Sequence, residues 1–174
     1  KEEDLPEVGI LAGQLVRMHY DFDPLRFVKP VNPEQGYQRW FGSQLAKEDA
    51  ILLVAADAEG VVGYAYALFE PRNYNDLLDA CLKLHDILVA ERGRKRGIGE
   101  ALLQEVFRRG AEKGAPRVVL LTASQNESAQ RLFERCGFRT TMLEMTAEIS
   151  RLGSWPWSFN HANVSSTMGC SAGG

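Results

Sequence analysis

Arg92, Arg94, Lys95 and Arg96 crowd into a short stretch with Gly93, Gly97 and Gly99 among them. The chemistry such a cluster suits is the capture of an anion. After Gly97 the apolar residues Ile98, Ala101, Leu102 and Val106 recur at the spacing of one helix face. A helix start leaves its first amides without partners and carries about half a positive charge. Glycine allows close approach and positive φ, and arginine adds reach and bidentate contacts. A phosphate-bearing ligand is therefore expected over residues 94–99. The competing reading is a solvated basic loop ahead of an ordinary helix.

The elements that position this turn are legible on either side. Leu84, Ile87, Leu88 and Val89 read as a buried strand leading into it. Residues 117–122, RVVLLT, read as a second buried strand after the helix, which Gly114 and Pro116 end. Ala129, Leu132, Phe133 and Cys136 then follow at i, i+3, i+4, i+7, an amphipathic helix with Gly137 as its left-handed cap and Phe138 packing back. A dinucleotide fold would need a third glycine where Leu102 stands, and no P-loop string occurs.

What does occur is R-x-x-G-x-G, as Arg94, Gly97 and Gly99, followed by Asn126, Ala129 and the pair Gly137-Phe138 after a strand. Together and in this order the two strings resemble the acyl-CoA signatures of the GNAT N-acetyltransferase superfamily, over residues 4–149. Residues 84–89, LHDILV, and the Gly63-Tyr64-Ala65 strand look similar to its diamine and polyamine branch. The resemblance implies an α/β (α+β) fold: a mixed, mostly antiparallel sheet flanked by helices, with strands 83–89 and 117–122 parallel and splayed around acetyl-CoA. It also implies a strand before the first helix; the sequence begins almost at that helix's cap, so this strand is expected to be truncated or absent.

By the same resemblance, Ile87, Leu88 and Val89 would meet the pantetheine arm through their backbone. Arg94, Lys95, Arg96, Gly97, Ile98, Gly99 and Glu100 would cradle the pyrophosphate, with Asn126, Ala129 and Phe133 along the cofactor's thiol side. The implied activity is acetyl transfer from acetyl-CoA to a primary amine of a small cationic molecule. The alternatives are a non-catalytic acyl-CoA-binding or regulatory module, and a protein or peptide N-acetyltransferase.

A primary amine with pKa near 10.4 is only about one part in a thousand neutral at pH 7.4, a cost of about 4 kcal/mol. The thiolate, leaving with a pKa near 8.5, costs only about 1–2 kcal/mol to expel without an acid. A base therefore matters more than an acid. His85 stands where the branch usually has glutamate, and its neutral ring could accept a proton. It could equally be a packed strand histidine. Asp86, expected on the opposite strand face, is a second candidate base or an amine anchor. Phe133 stands where the branch has a proton-donating tyrosine. Solvent, or Tyr64, Tyr66 or Tyr74, would then supply the proton, or the protein binds acyl-CoA and catalyses poorly. Phe133 itself lies on an apolar stripe and suits packing.

Upstream, Asp4, Pro6 and Glu7 read as a capping-box start to a helix with Val8, Leu11, Leu15 and Met18 on its apolar face. Residues 20–32 are a proline-punctuated loop with Tyr20, Phe22 and Phe27, of which Tyr20 and Phe27 are candidate walls of a substrate pocket or simple core cover. Asn32-Pro33 starts a second helix to about Ala46 with Tyr37, Trp40, Phe41 and Leu45 as apolar positions. Residues 51–56 and 61–69 form a hairpin about Asp57-Ala58-Glu59-Gly60. The loop 70–80 carries Glu70, Tyr74, Asp76 and Asp79, an acidic stretch that would draw a cationic substrate or be merely solvated. Residues 138–149 read as a last strand.

The chain has 174 residues, 45% hydrophobic and 25% charged, and a net charge of −3, so one domain is expected and general affinity for nucleic acid or membrane is not implied. That domain is placed at 1–149, and 150–174 is a Ser- and Gly-rich tail expected to be partly disordered or docked through Trp155 and Trp157. Cys81, Cys136 and Cys170 are odd in number and, like His19, His85 and His161, lack metal-ligand spacing. A reduced, cytoplasmic, metal-free protein is expected, without signal peptide or membrane span, and a homodimer by analogy with the family.

Overall fold

The computed structural model describes residues 1–29 and 31–149. Within its first unit, residues 1–141, the elements in order are α1 (Leu5–Phe22), α2 (Pro33–Gln44), β1 (Ala50–Asp57), β2 (Gly60–Glu70), β3 (Cys81–Val89), α3 (Ile98–Glu112), β4 (Val118–Leu120) and α4 (Glu127–Arg135). The sheet runs β1-β2-β3-β4. β1 and β3 flank β2 antiparallel, and β4 lies parallel to β3.

β2 is the central strand, and its alternation divides the interior into two cores. Tyr64 and Tyr66 face α1 and α2, packing with Val8, Leu11, Phe41 and Leu88. Ala65 and Ala67 face the other way, with Leu82, Leu84, Leu103, Val106 and Phe133 beneath α3 and α4. Successive strand residues point to opposite faces, and a strand covered on both sides must be apolar throughout. Large aromatics on one face of β2 and alanines on the other show how unequal those two layers are.

β3 and β4 pair only through Leu82–Val118, Lys83–Val119 and Leu84–Leu120. Beyond Leu84 the edge of β3 has no ladder partner among the described residues, and Leu121 is 70% exposed just past the end of β4. This is the expected splay, and it leaves backbone donors and acceptors of residues 85–89 facing open space.

α2 is fastened closely to α1. A Cβ at Gly9 would stand 2.8 Å from the Glu34 carbonyl, one at Gly13 would meet the Glu34 carboxylate, and Arg17 pairs with Glu34. Small residues on α1 thus admit the first turn of α2 and fix where its aromatic residues emerge.

Three expectations are corrected. Asp4 is the residue before α1 but its side chain makes no cap bond, and Glu7 closes no capping box; its Oε2 instead accepts the Val61 amide at 2.8 Å, clamping the β1–β2 turn to α1. Tyr20 and Phe22, expected in a loop, belong to α1, whereas Asn32 and Pro33 do open α2, Asn32 in a left-handed conformation, φ 45°. No strand forms over 138–149; Met142, Leu143 and Met145 are exposed, with no ladder partner to make their alternation a buried face. The expectations for 150–174 lie outside the described residues, and none of the described helices is long and apolar enough to cross a membrane.

Candidate active site

The β2–β3 register holds until Tyr66 opposite Asp86, then resumes at Ala67 opposite Leu84. His85 is the extra residue, a β-bulge of the kind that re-aims side chains. The bulge overturns the expectation that His85 and Asp86 point to opposite faces. The His85 ring lies 5.6 Å from that of Tyr66, and Asp86 Oδ2 accepts a hydrogen bond from the Tyr64 hydroxyl at 3.4 Å. Tyr64 and Tyr66 share one face of β2, so both candidates meet on the α1–α2 side.

There Asp86 sits in an aromatic surround. Trp40 packs against Tyr66 at 4.8 Å between ring centroids, and Phe41 lies between Tyr37 at 5.6 Å and Tyr64 at 5.7 Å. The Tyr66 hydroxyl is anchored by donating to Gln44 Oε1 at 3.1 Å. Burial raises the Asp86 carboxyl to about 6, with the Tyr64 bond pulling weakly the other way. Burial also pushes the hydroxyls of Tyr64, Tyr66 and Tyr37 up, and the Asp86 charge pushes each of them further.

His85 Nε2 lies 3.0 Å from Glu70 Oε1, with Lys83 Nζ at 3.4 Å from the other Glu70 oxygen. Burial lowers the His85 pKa and Glu70 counters it. Glu70 and Tyr74 do line one surface pocket of about 420 Å³, with Arg72 between them. The other acids of the 70–80 loop lie outside its lining and are engaged by it: Arg72 donates to Asp79 at 2.9 Å, and Asn73 to Asp76 at 2.8 Å. A second pocket, about 380 Å³, is lined by Val31, Asn32, Pro33, Gly36, Tyr37 and Trp40. Tyr20 and Phe27 line neither pocket; the Phe27 ring instead packs edge-on against His19 at 5.0 Å. Tyr37 and Trp40, which in sequence show only as members of a helical apolar face, line the second pocket. Their adjacency to Gly36 was the available signal.

At the other end of β3, the basic turn divides into two functions. Arg92 donates to Asp57 Oδ1 at 2.7 Å and to the Val61 carbonyl at 3.2 Å, and Arg96 donates to Asp57 Oδ2 at 3.1 Å. Both therefore bind the turn to the β1–β2 hairpin, and Asp57 is held down to about 2 by them. Arg94 and Lys95 make no ion pair among the described residues. Gly97 takes φ 77°, and a Cβ there would meet nothing within 4 Å. Ala101 is the first residue of α3 to return its amide to the chain, on the Gly97 carbonyl at 3.0 Å. The amides of Ile98, Gly99 and Glu100 precede it and are left for a ligand. Gly99 serves packing more than phosphate approach, since a Cβ there would lie 2.9 Å from Leu132.

Asn126 caps α4 by accepting the Ala129 amide at 3.3 Å, and Ala129 is part-buried beside it. Phe133 is 6% exposed, with its ring 5.7 Å from that of Phe138, so its side chain packs the core. No group of His, Cys, Asp and Glu suited to a metal occurs among the described residues.

The site is thus an anion-receptive helix start and an open strand edge, leading to a carboxylate of raised pKa in an aromatic surround. A family model described as "Acetyltransferase (GNAT) family" matches residues 15–138. The D-amino-acid N-acetyltransferase HPA3 of Saccharomyces cerevisiae is 29% identical over 79 residues, 45% of this chain and 48% of that protein. The chain spans about half the length of the curated relatives it matches. Among solved structures, a tetramutant of the BH1408 protein from Bacillus halodurans superposes with a TM-score of 0.72 at 20% identity, covering 86% of this chain and 96% of that one, a likeness of fold. So does the aminoglycoside N-acetyltransferase AAC(6')-Iy, solved in complex with CoA, with a TM-score of 0.54 at 22% identity over 66% of this chain and 93% of that one.

Proposed function

Because this chain belongs to the GNAT acetyltransferase family, we propose that it moves an acetyl group from acetyl-CoA to the primary amine of a small molecule, with Asp86 as the base. The observation that carries this reading is Asp86 itself: a carboxylate raised to about 6 and held at 3.4 Å by a tyrosine hydroxyl. Such a group is ionised at neutral pH yet basic enough to take a proton.

The residues present fit the co-substrate. The amides of Ile98, Gly99 and Glu100, with no backbone partner among the described residues, the cations Arg94 and Lys95, with no ion pair among them, and the left-handed Gly97 suit a diphosphate. The unpaired edge of β3 at residues 87–89 suits an amide-bearing pantetheine arm, which would complete the interrupted ladder. When bound, acetyl-CoA supplies a thioester whose carbon–sulfur bond breaks as the carbon–nitrogen bond forms, with sulfur departing as thiolate.

The chain's own part is to hold and deprotonate the amine. Asp86 attracts the ammonium form, accepts one of its protons and leaves the nitrogen lone pair free. Tyr64 keeps the carboxylate oriented. The aromatic surround leaves Asp86 partly buried and lowers the cost of a neutral amine relative to its cation. Phe133 supplies no proton, and a thiolate leaving group needs none. His85, tied to Glu70, borders the site without being required as base.

The test is a thiol-release assay with saturating acetyl-CoA over alkylamines, arylalkylamines, polyamines, D-amino acids and aminoglycosides. Turnover of at least one class, lost in Asp86→Asn with acetyl-CoA binding retained, supports the reading. Tight acetyl-CoA binding with no turnover of any amine would leave a non-catalytic acyl-CoA module as the better account.

A further inference from the structure

We infer that the pocket at the start of α2 receives an apolar, ring-sized substituent of the acceptor amine, so that the substrates are alkyl- or arylalkylamines and not linear polyamines. This rests on the acetyl-transfer reading and adds the acceptor's chemistry to it.

The pocket is a solvent-open depression of about 380 Å³, large enough in volume for a ring-sized group. No charged side chain lines it. Its walls are Val31, Pro33, Tyr37 and Trp40, the last two edge to face at 6.1 Å. Two of its residues lead from it towards the base. Trp40 packs edge-on against Tyr66, whose partner across β2–β3 is Asp86. Tyr37 lines the pocket and lies close enough to Asp86 for its hydroxyl to respond to that charge. An amine held at Asp86 therefore presents its substituent to Tyr37 and Trp40.

Polyamines fit the surroundings poorly. A second ammonium in this pocket would be desolvated with no carboxylate to receive it. The neighbouring pocket at Glu70 offers little more, since Glu70 already holds Lys83 and His85 and Asp79 already holds Arg72.

Gly36 is an exposed residue of the pocket lining. A Cβ there would meet nothing within 4 Å, and the residue lies inside α2. A leucine would occupy this position without a backbone clash and with better helix propensity than glycine.

The experiment compares 2-phenylethylamine, butylamine, ethylamine and spermidine as acceptors for the wild type and Gly36→Leu, with thermal melting to show that the variant is folded. The wild type should favour 2-phenylethylamine over ethylamine and spermidine by about tenfold or more in kcat/KM. Gly36→Leu should lose about tenfold on 2-phenylethylamine and less than about twofold on ethylamine. A wild-type preference for spermidine, or an equal loss on all four amines in the variant, overturns the inference while leaving acetyl transfer standing. Should no amine turn over, a calorimetric titration with 2-phenylethylamine decides the pocket separately. Saturable binding weakened by Gly36→Leu upholds it, and no binding to the wild type overturns it.

Discussion

The Tyr64 hydroxyl approaches Asp86 Oδ2 at 3.4 Å, longer than a well-formed O–H···O bond of about 2.7–2.8 Å. The carboxylate is oriented by one weak donor and still has capacity for another. Its pKa is raised to about 6 from 3.8, so the folded protein binds this proton more tightly than the unfolded chain does. By linkage, the group's contribution to stability is most favourable below about pH 4. It declines as pH rises to about 6 and is constant above that. Asp86→Asn should therefore raise stability at pH 7.4 by about 1–3 kcal/mol while lowering kcat by about 100-fold or more. Melting temperature and steady-state rates of one preparation check both; a variant both inactive and less stable would contradict the assignment.

An acid limb near pH 6 in kcat has two candidate owners, because burial also brings His85 below its ordinary 6.5. His85 is the bulged residue and is already paired with Glu70. The expected outcome is that His85→Ala keeps the limb and loses less than about tenfold in kcat, whereas the residual activity of Asp86→Asn has no limb. A limb abolished by His85→Ala would transfer the base role to the histidine.

These residues show which properties the sequence makes legible. Element types were readable because helical spacing, strand runs and the Gly137 cap are local. Gly137 does take φ 90°, and the hairpin, the basic turn and the α4 helix all form where the pattern placed them. What escaped was fixed by partners distant in the chain. The bulge exists only in the pairing of β3 with Tyr66 and Ala67, so simple alternation sent Asp86 to the wrong face. Glu7 has the spacing of a capping residue, but its partner is the Val61 amide, 54 positions away. Arg92 and Arg96 looked available to a phosphate until Asp57, 35 and 39 positions earlier, proved to hold them.

The two glycines of the basic turn should fail differently. Gly97 is left-handed, φ 77°, so Gly97→Ala carries a backbone penalty of about 1–2 kcal/mol and moves the amides that follow. KM for acetyl-CoA should rise several-fold with kcat little changed. Gly99→Ala puts a methyl 2.9 Å from Leu132 and must shift α3 against α4. Its main effect should be on stability, about 1–3 kcal/mol, measured by chemical denaturation. Equal effects on KM from both variants would mean that Gly99 also borders the ligand.

The arginines of the same turn give a test by salt. Arg94 and Lys95 have no ion pair among the described residues, so they should act on the ligand from solution-exposed positions. Attraction of that kind is screened over about 10 Å at 0.1 M ionic strength. KM for acetyl-CoA should rise with salt in the wild type, and the rise should flatten in Arg94→Ala and Lys95→Ala with kcat unchanged. Arg92→Ala should instead release the β1–β2 hairpin and lower the melting temperature, because Arg92 joins Asp57 to the Val61 carbonyl. Asp57 is depressed to about 2, so its stabilising contribution is present above about pH 4 and is lost as pH falls through 2. Asp57→Asn should remove that part of the acid dependence and loosen the same hairpin. If Arg92→Ala and Arg94→Ala instead gave the same salt response and the same melting temperature, the division of this turn into a clamp and a ligand-facing half would be wrong.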